Sequence, residues 1–137
     1  MSKIAVVYWS GTGNTQAMAD SVAAGVKAKG AEVEMFTCDE FTSDMVANYD
    51  GIAFGCPSMG DEVLEESEFQ PMWDGVAESL TGKKVALFGS YGWGDGEWMR
   101  NWEEECQNSN VVGTFICNDS PDDDAQNECE ELGAKLV

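Results

Sequence analysis

The residues of this chain best suited to chemistry begin with Ser10-Gly11-Thr12-Gly13-Asn14-Thr15. The run combines two glycines, three hydroxyls and an amide. It follows an apolar stretch, Ile4 to Trp9, and opens a segment in which Met18, Val22 and Val26 recur at helical spacing. A strand, a tight loop and a helix start place backbone N–H groups in a concave ring at the positive end of a helix dipole, which suits a phosphate. Two competing motifs fit less well. Gly13 is followed by Asn14 where a triphosphate loop needs Lys, and position 16 is Gln where a dinucleotide fingerprint needs its third glycine. With no basic residue, the loop would hold a dianionic monophosphate through neutral donors and the helix dipole.

Two further loops supply different chemistry. Ser90-Tyr91-Gly92-Trp93-Gly94-Asp95-Gly96 sets aromatics among glycines at a strand end, poorly placed to fill a core and well placed to stack on a flat ring. Its glycines let the backbone approach a ligand closely. Pro57-Ser58-Met59-Gly60-Asp61-Glu62 offers Met59 as an adaptable apolar contact and Gly60 as a peptide that can turn over at little cost. A ring between Met59 and Trp93, with its phosphate in the first loop, describes a mononucleotide bearing a large aromatic system.

The elements that must position these loops alternate. The pattern predicts a strand at about 3–9, a helix at 14–29 ending at Gly30, and an edge strand at 31–36 whose apolar and acidic residues alternate. A short helix over 42–49 follows, with Ser43 as its cap, and then a buried strand at 51–56. A helix at 71–80, a strand at 83–89, a helix at 96–107 carrying Trp98, Met99 and Trp102, and a strand at 111–117 come next. Asn118 to Pro121 caps a final helix at 122–136. This order predicts one α/β domain over 1–137: a doubly wound, five-stranded parallel sheet with helices on both faces. Ligands of such sheets bind at the carboxyl ends of the strands, where strand order reverses, and all three loops leave those ends.

Charge narrows the partners. The formal net charge is −19, with thirteen acidic and no basic residues between Lys29 and Lys83, and ten acidic residues against one Lys from Glu103 onward. Nucleic acid and anionic membranes would be repelled, and a basic protein partner drawn in. No apolar run approaches the roughly 20 residues of a membrane span, and the N-terminus reads as a strand rather than a signal peptide, so a cytoplasmic location is expected. The five Cys are odd in number with no C-x-x-C pair, which favours reduced thiols, and the lack of His removes zinc sites and His-based triads.

Val7-Tyr-Trp-Ser-Gly-Thr-Gly-Asn-Thr15, Met59-Gly-Asp-Glu62 and Leu87-Phe-Gly-Ser-Tyr-Gly-Trp-Gly-Asp-Gly96 together resemble the short-chain flavodoxins over essentially the whole chain. The resemblance implies a flavodoxin-like sheet of order 2-1-3-4-5, non-covalent FMN, and low-potential one-electron transfer between redox proteins rather than catalysis. It also implies a monomer without metal that cycles between semiquinone and hydroquinone. Transferred to this chain, Ser10, Thr12, Asn14 and Thr15, with Gly11 and Gly13, hold the phosphate. Met59 and Trp93 flank the isoalloxazine, Gly60 meets N5, and Asp61 and Glu62 lie near the N5 and N3 edge. Ser90, Tyr91, Gly92 and Gly94 line the ribityl chain and pyrimidine edge. Pro57 lacks an N–H, so Ser58 or its backbone must supply the extra phosphate contact, and Asn118 or Asp119 touches the ribityl or dimethylbenzene side.

A flavin-dependent NAD(P)H or quinone reductase would share the phosphate loop but would need a second pocket, for which this chain offers little material; bleaching by NADPH separates the two. A receiver domain would need clustered Asp after the first strand, where Trp9-Ser10 stands. Under the flavodoxin reading, an anionic hydroquinone would sit beside Asp61, Glu62, Glu65 and Glu66 and be disfavoured by the summed field. The neutral semiquinone carries N5–H and needs an acceptor, which a turned Met59-Gly60 peptide would provide. Replacing Gly60 by Val penalises a left-handed peptide conformation by about 1 kcal/mol. The expected outcome is a lower oxidised/semiquinone potential, read by redox titration; an unchanged titration would refute the peptide-turn account.

Overall fold

A computed structural model describes residues 2–9, 11, 13–58, 64–92, 94, 96–118 and 120–137. Five strands, β1 (Lys3–Tyr8), β2 (Glu32–Thr37), β3 (Gly51–Gly55), β4 (Lys84–Tyr91) and β5 (Asn110–Asn118), alternate with helices. The helices are α1 (Gly13–Ala28), α2 (Phe69–Val76), α3 (Glu97–Glu105) and α4 (Asp123–Ala134). All pairings are parallel, in the order β2-β1-β3-β4-β5. The doubly wound 2-1-3-4-5 sheet expected from the sequence is therefore the one observed.

Side-chain alternation along the central strands builds two cores. Ala5, Val7, Ile52, Phe54, Val85 and Leu87 face one side, where Trp73, Trp98 and Trp102 pack. Phe54, Trp73, Trp102 and Phe69 form a chain of edge-to-face ring contacts with centroids 5.1–5.6 Å apart. Ile4, Val6, Ala53, Ala86 and Phe88 face the other side, against Met18, Val22 and Val26 of α1 and Leu132 of α4. β2 takes the edge, as its acidic alternation predicts, with Met35 37% exposed.

Several boundaries differ from the sequence expectation, each for a local reason. Thr42, not Ser43, precedes a 3-10 turn over Ser43–Asn48, and no side-chain cap bond forms there. The helix predicted at 71–80 starts at Phe69 and tightens into a 3-10 turn at Ala77–Leu80. Pro71 falls in its first turn, where a missing N–H costs nothing. The cap of α4 is Asp122, whose Oδ1 accepts the Ala125 N–H at 2.8 Å, rather than the 118–121 stretch. β4 runs on to Tyr91, so Ser90 and Tyr91 are strand residues beside β5 rather than loop residues.

Helices α1 and α4 cross in unusually close contact. A Cβ on Gly25 would overlap the Glu130 carbonyl oxygen, and one on Gly133 would overlap the Val22 carbonyl oxygen. Each helix thus presents a bare backbone to the other's main chain. Gly25→Ala must push two backbones apart, and a loss of about 1–3 kcal/mol is expected. It should appear as a lower urea midpoint at constant m; an unchanged midpoint would show that the helices separate freely.

Candidate functional site

The register sets the level at which the strands end. Tyr8 pairs with Gly55 and Gly55 with Phe88, so β1, β3 and β4 deliver their chains to the same edge of the sheet. β1 stands between β2 and β3, so the connections after β1 and β3 leave the sheet toward opposite faces and open a crevice between them. Backbone bonds tie the three exits together. The Trp9 N–H donates to the Gly55 carbonyl at 3.0 Å, and the Ser58 N–H to the Ser90 carbonyl at 3.0 Å.

On the β1 side, Gly13 and Asn14 form the first turn of α1 instead of a preceding loop. Gly11 and Gly13 are exposed, Asn14 is half-buried and Thr15 is fully buried. No acidic residue lies in that turn, so no side-chain charge opposes an anion there. Thr15 Oγ1 has no hydrogen-bond partner among the described residues. A buried hydroxyl left unpaired costs about 1–3 kcal/mol, and a phosphate oxygen at the helix start would remove that cost. Ser10 and Thr12 lie outside the described residues.

Trp9, read from the sequence only as the end of a strand, is part of this site. Its ring occupies the space a Cβ on Gly11 would need. Its Nε1 is buried and without a partner among the described residues. Gly11 is therefore required for packing as well as for backbone approach to a ligand. An apolar residue at a strand end carried no sequence signal for either role.

On the β3 side, Pro57 is buried and the Ser58 N–H is already engaged by Ser90, leaving the Ser58 hydroxyl rather than its backbone to meet a ligand. Met59, Gly60, Asp61 and Glu62 lie outside the described residues, as do Trp93 and Asp119. In the third segment Ser90 is buried, while Gly92 and Gly94 are exposed. Tyr91 is less free than its glycine neighbours suggest: its ring packs half-buried against Trp98, centroids 5.6 Å apart. Asn118 Nδ2 donates to the Tyr91 carbonyl at 3.2 Å, which fixes the ends of β4 and β5 together. Gly94 and Gly96 have φ of 87° and 95°, and Gly96 is the N-cap of α3, so the glycines here do serve turns closed to other residues.

Glu65, which the sequence places among the acidic field, has a structural occupation. It is 7% exposed, and its carboxylate accepts from the Ser67 N–H and hydroxyl, the Glu68 N–H and the Phe69 N–H. Burial pushes this carboxyl up, and the bonds from Ser67, Phe69 and Glu68 outweigh burial and hold it down at about 2. The signal was present in Glu65-x-Ser67 ahead of Phe69, but a helix start placed at 71 hid it. Cys56, in contrast, is a buried thiol that desolvation drives far above its ordinary value, so it is not a nucleophile. All five cysteines are reduced thiols, as their odd number and the lack of a C-x-x-C pair suggested. Among the described residues no cluster could hold a metal ion, and no helix is long and apolar enough to cross a membrane.

A doubly wound parallel sheet with an anion-suited helix start and a glycine-aromatic segment on one edge defines a mononucleotide-binding α/β domain. Comparison with known proteins makes this specific. The Flavodoxin family model matches residues 6–135. The chain is 50% identical to a flavodoxin of Megasphaera elsdenii over 132 residues, covering 95% of each. It is 46% identical to a flavodoxin of Clostridium beijerinckii over 134 residues, covering 96% of this chain and 97% of the relative. The solution structure of the two-electron reduced Megasphaera elsdenii flavodoxin superposes with a TM-score of 0.91, covering 97% of both chains. The chain belongs to the flavodoxin family, FMN-binding electron carriers rather than enzymes.

The Glu65 cap generates a pH prediction. Its folded value is depressed, so its contribution is complete above the unfolded value of about 4.5 and is lost as pH falls toward about 2. Glu65→Gln is expected to lower stability by about 1–3 kcal/mol at pH 7, with the difference from wild type shrinking across pH 4.5 to 2. Denaturant titrations over that range check it, and a difference constant with pH would refute it.

Proposed function

We propose that residues 1–137 form a single FMN-carrying domain in which the α1 N-terminus anchors the phosphate and the ring lies beside the β3 and β4 exits. The observation that carries this reading is the buried hydroxyl of Thr15, without a partner among the described residues, at the start of a helix whose first turn holds no acidic residue. Ser10, Thr12, Asn14 and Thr15 are the phosphate donors, with Gly11 and Gly13 clearing the approach. Met59 and Trp93 hold the ring faces, and the Gly60 peptide meets N5. Asp61 and Glu62 lie at the N5 and N3 edge. Ser58, Ser90, Tyr91, Gly92, Gly94 and Asn118 line the remainder.

FMN supplies one-electron redox chemistry when bound. The chain's part is to hold the phosphate without a cation, so that no positive charge offsets the acidic surroundings of the ring. With a net charge of −19, an added negative charge on the cofactor is disfavoured, which supports a low-potential carrier. The same field would orient basic faces of redox partners toward the protein and repel nucleic acid. A monomer that works in the cytoplasm is the form this reading adopts.

Thr15→Val keeps the shape of the side chain and removes the hydroxyl. Stability of the apoprotein should be unchanged or slightly raised, because an unpaired buried group is lost. Affinity for FMN should fall about 10- to 100-fold, measured by quenching of FMN fluorescence on titration with apoprotein. Unchanged affinity would place the phosphate elsewhere.

A further inference from the structure

Trp98, Trp102 and Trp73 are all buried in the core on one face of the sheet, and they differ in what their indole N–H groups meet. The Trp98 Nε1–H donates to the Cys56 carbonyl at 3.2 Å. Trp102 Nε1 is buried and has no hydrogen-bond partner among the described residues. The Trp73 Nε1–H donates to Glu105 Oε1 at 3.2 Å, and Glu105 lies exposed at the end of α3. A peptide carbonyl is a very weak base, whereas a carboxylate takes up a proton readily. Of these three indoles, Trp73 alone is poised to give up its N–H proton.

The rings also stand in series. Tyr91, at the end of β4, packs on Trp98 with centroids 5.6 Å apart. Trp98 and Trp102 are one turn apart on the buried side of α3. Trp102 meets Trp73 edge to face, with centroids 5.6 Å apart. The series begins at the edge where β4 ends and finishes at an exposed carboxylate.

We propose that Trp98, Trp102 and Trp73 form an electron-supply path that carries an oxidising equivalent from light-excited FMN to Trp73, with Glu105 as proton acceptor. The proposal rests on the reading that the flavin ring lies beside the β3 and β4 exits, where Tyr91 bridges it to Trp98. FMN absorbs blue light, and its excited state is a strong one-electron oxidant. One electron passes from Trp98 to the flavin, Trp102 refills Trp98, and Trp73 refills Trp102. The Trp73 N–H bond then breaks: the proton goes to the Glu105 carboxylate and the unpaired electron stays on a neutral indole. Return of one electron from the flavin and one proton from Glu105 restores every group. An oxidised Trp98 or Trp102 would keep a positive charge in an apolar core, which is costly. The oxidising equivalent therefore settles where proton loss removes that charge.

The test is a blue flash on FMN-loaded protein followed by transient absorption, which tells the deprotonated tryptophan radical from the protonated one. Wild type should show the deprotonated radical. Glu105→Gln, at an exposed position, should leave FMN affinity unchanged. It should replace that signal by the protonated radical and shorten its lifetime about tenfold, because proton transfer no longer delays the return of the electron. Trp73→Phe should abolish the deprotonated signal, and Glu104→Gln should match wild type. A Glu105→Gln protein with the wild-type signal and lifetime overturns the path, as does a wild type that shows no deprotonated radical. Emission from the bound flavin separates the two levels. If the flavin is quenched and no deprotonated radical forms, the path alone fails. If the flavin is as bright as free FMN, no aromatic ring lies within its reach, and the placing of the cofactor fails with the path.

Discussion

Because β1 pairs in parallel with both β2 and β3, the chain must leave its carboxyl end on one face of the sheet and return from β3 on the other. Everything functional in this protein depends on that constraint. Parallel strands need long crossovers, and right-handed crossovers on opposite faces leave the strand ends at the reversal uncovered. The register then brings Tyr8, Gly55 and Phe88 level, so a phosphate-sized group at α1 and a flat ring at the β3 and β4 exits can belong to one ligand.

Around that edge, packing and binding draw on the same residues. Gly11 must lack a side chain because the Trp9 ring fills the space, and the same bareness opens the backbone to a ligand. Tyr91 rests on Trp98, while Trp98 also holds the Cys56 carbonyl. The third segment and the second are thus coupled through one indole. Such sharing lets a chain of 137 residues with no disulfide hold three strand exits at one edge of its sheet.

The distribution of charge shows a division of labour. Most of the acidic residues lie exposed and act together as a field whose strength depends on salt. Glu65 is separated from that field by burial and by its own hydrogen bonds, and it organises backbone instead. Two neighbouring carboxylates in the sequence can therefore serve unrelated ends. What distinguishes Glu65 from Glu66 is which donors the fold brings to it.

The alternation of strands and helices and the two-faced core were legible in periodicity and β-branched runs, which are local properties, whereas the strand order came from the resemblance to the flavodoxins. Met18, Val22 and Val26 could be assigned to a buried helix face from their spacing alone, and all three are fully buried. The roles of Cys56, Glu65 and Trp98 were not legible, because each depends on a partner far along the chain or on a helix start displaced by two residues, and that of Trp9 was not, because an apolar residue ending a strand gives no sign of where its ring lies. The commitment of the Ser58 N–H to Ser90 and the close crossing of Gly25 with Glu130 likewise exist only once β3, β4, α1 and α4 are assembled. The sequence by itself determined the class of ligand, because the atoms a phosphate and a ring require are carried on contiguous segments. Tertiary structure alone decided which of those atoms remain free for the ligand, because satisfying buried donors and acceptors is a property of the whole packed chain.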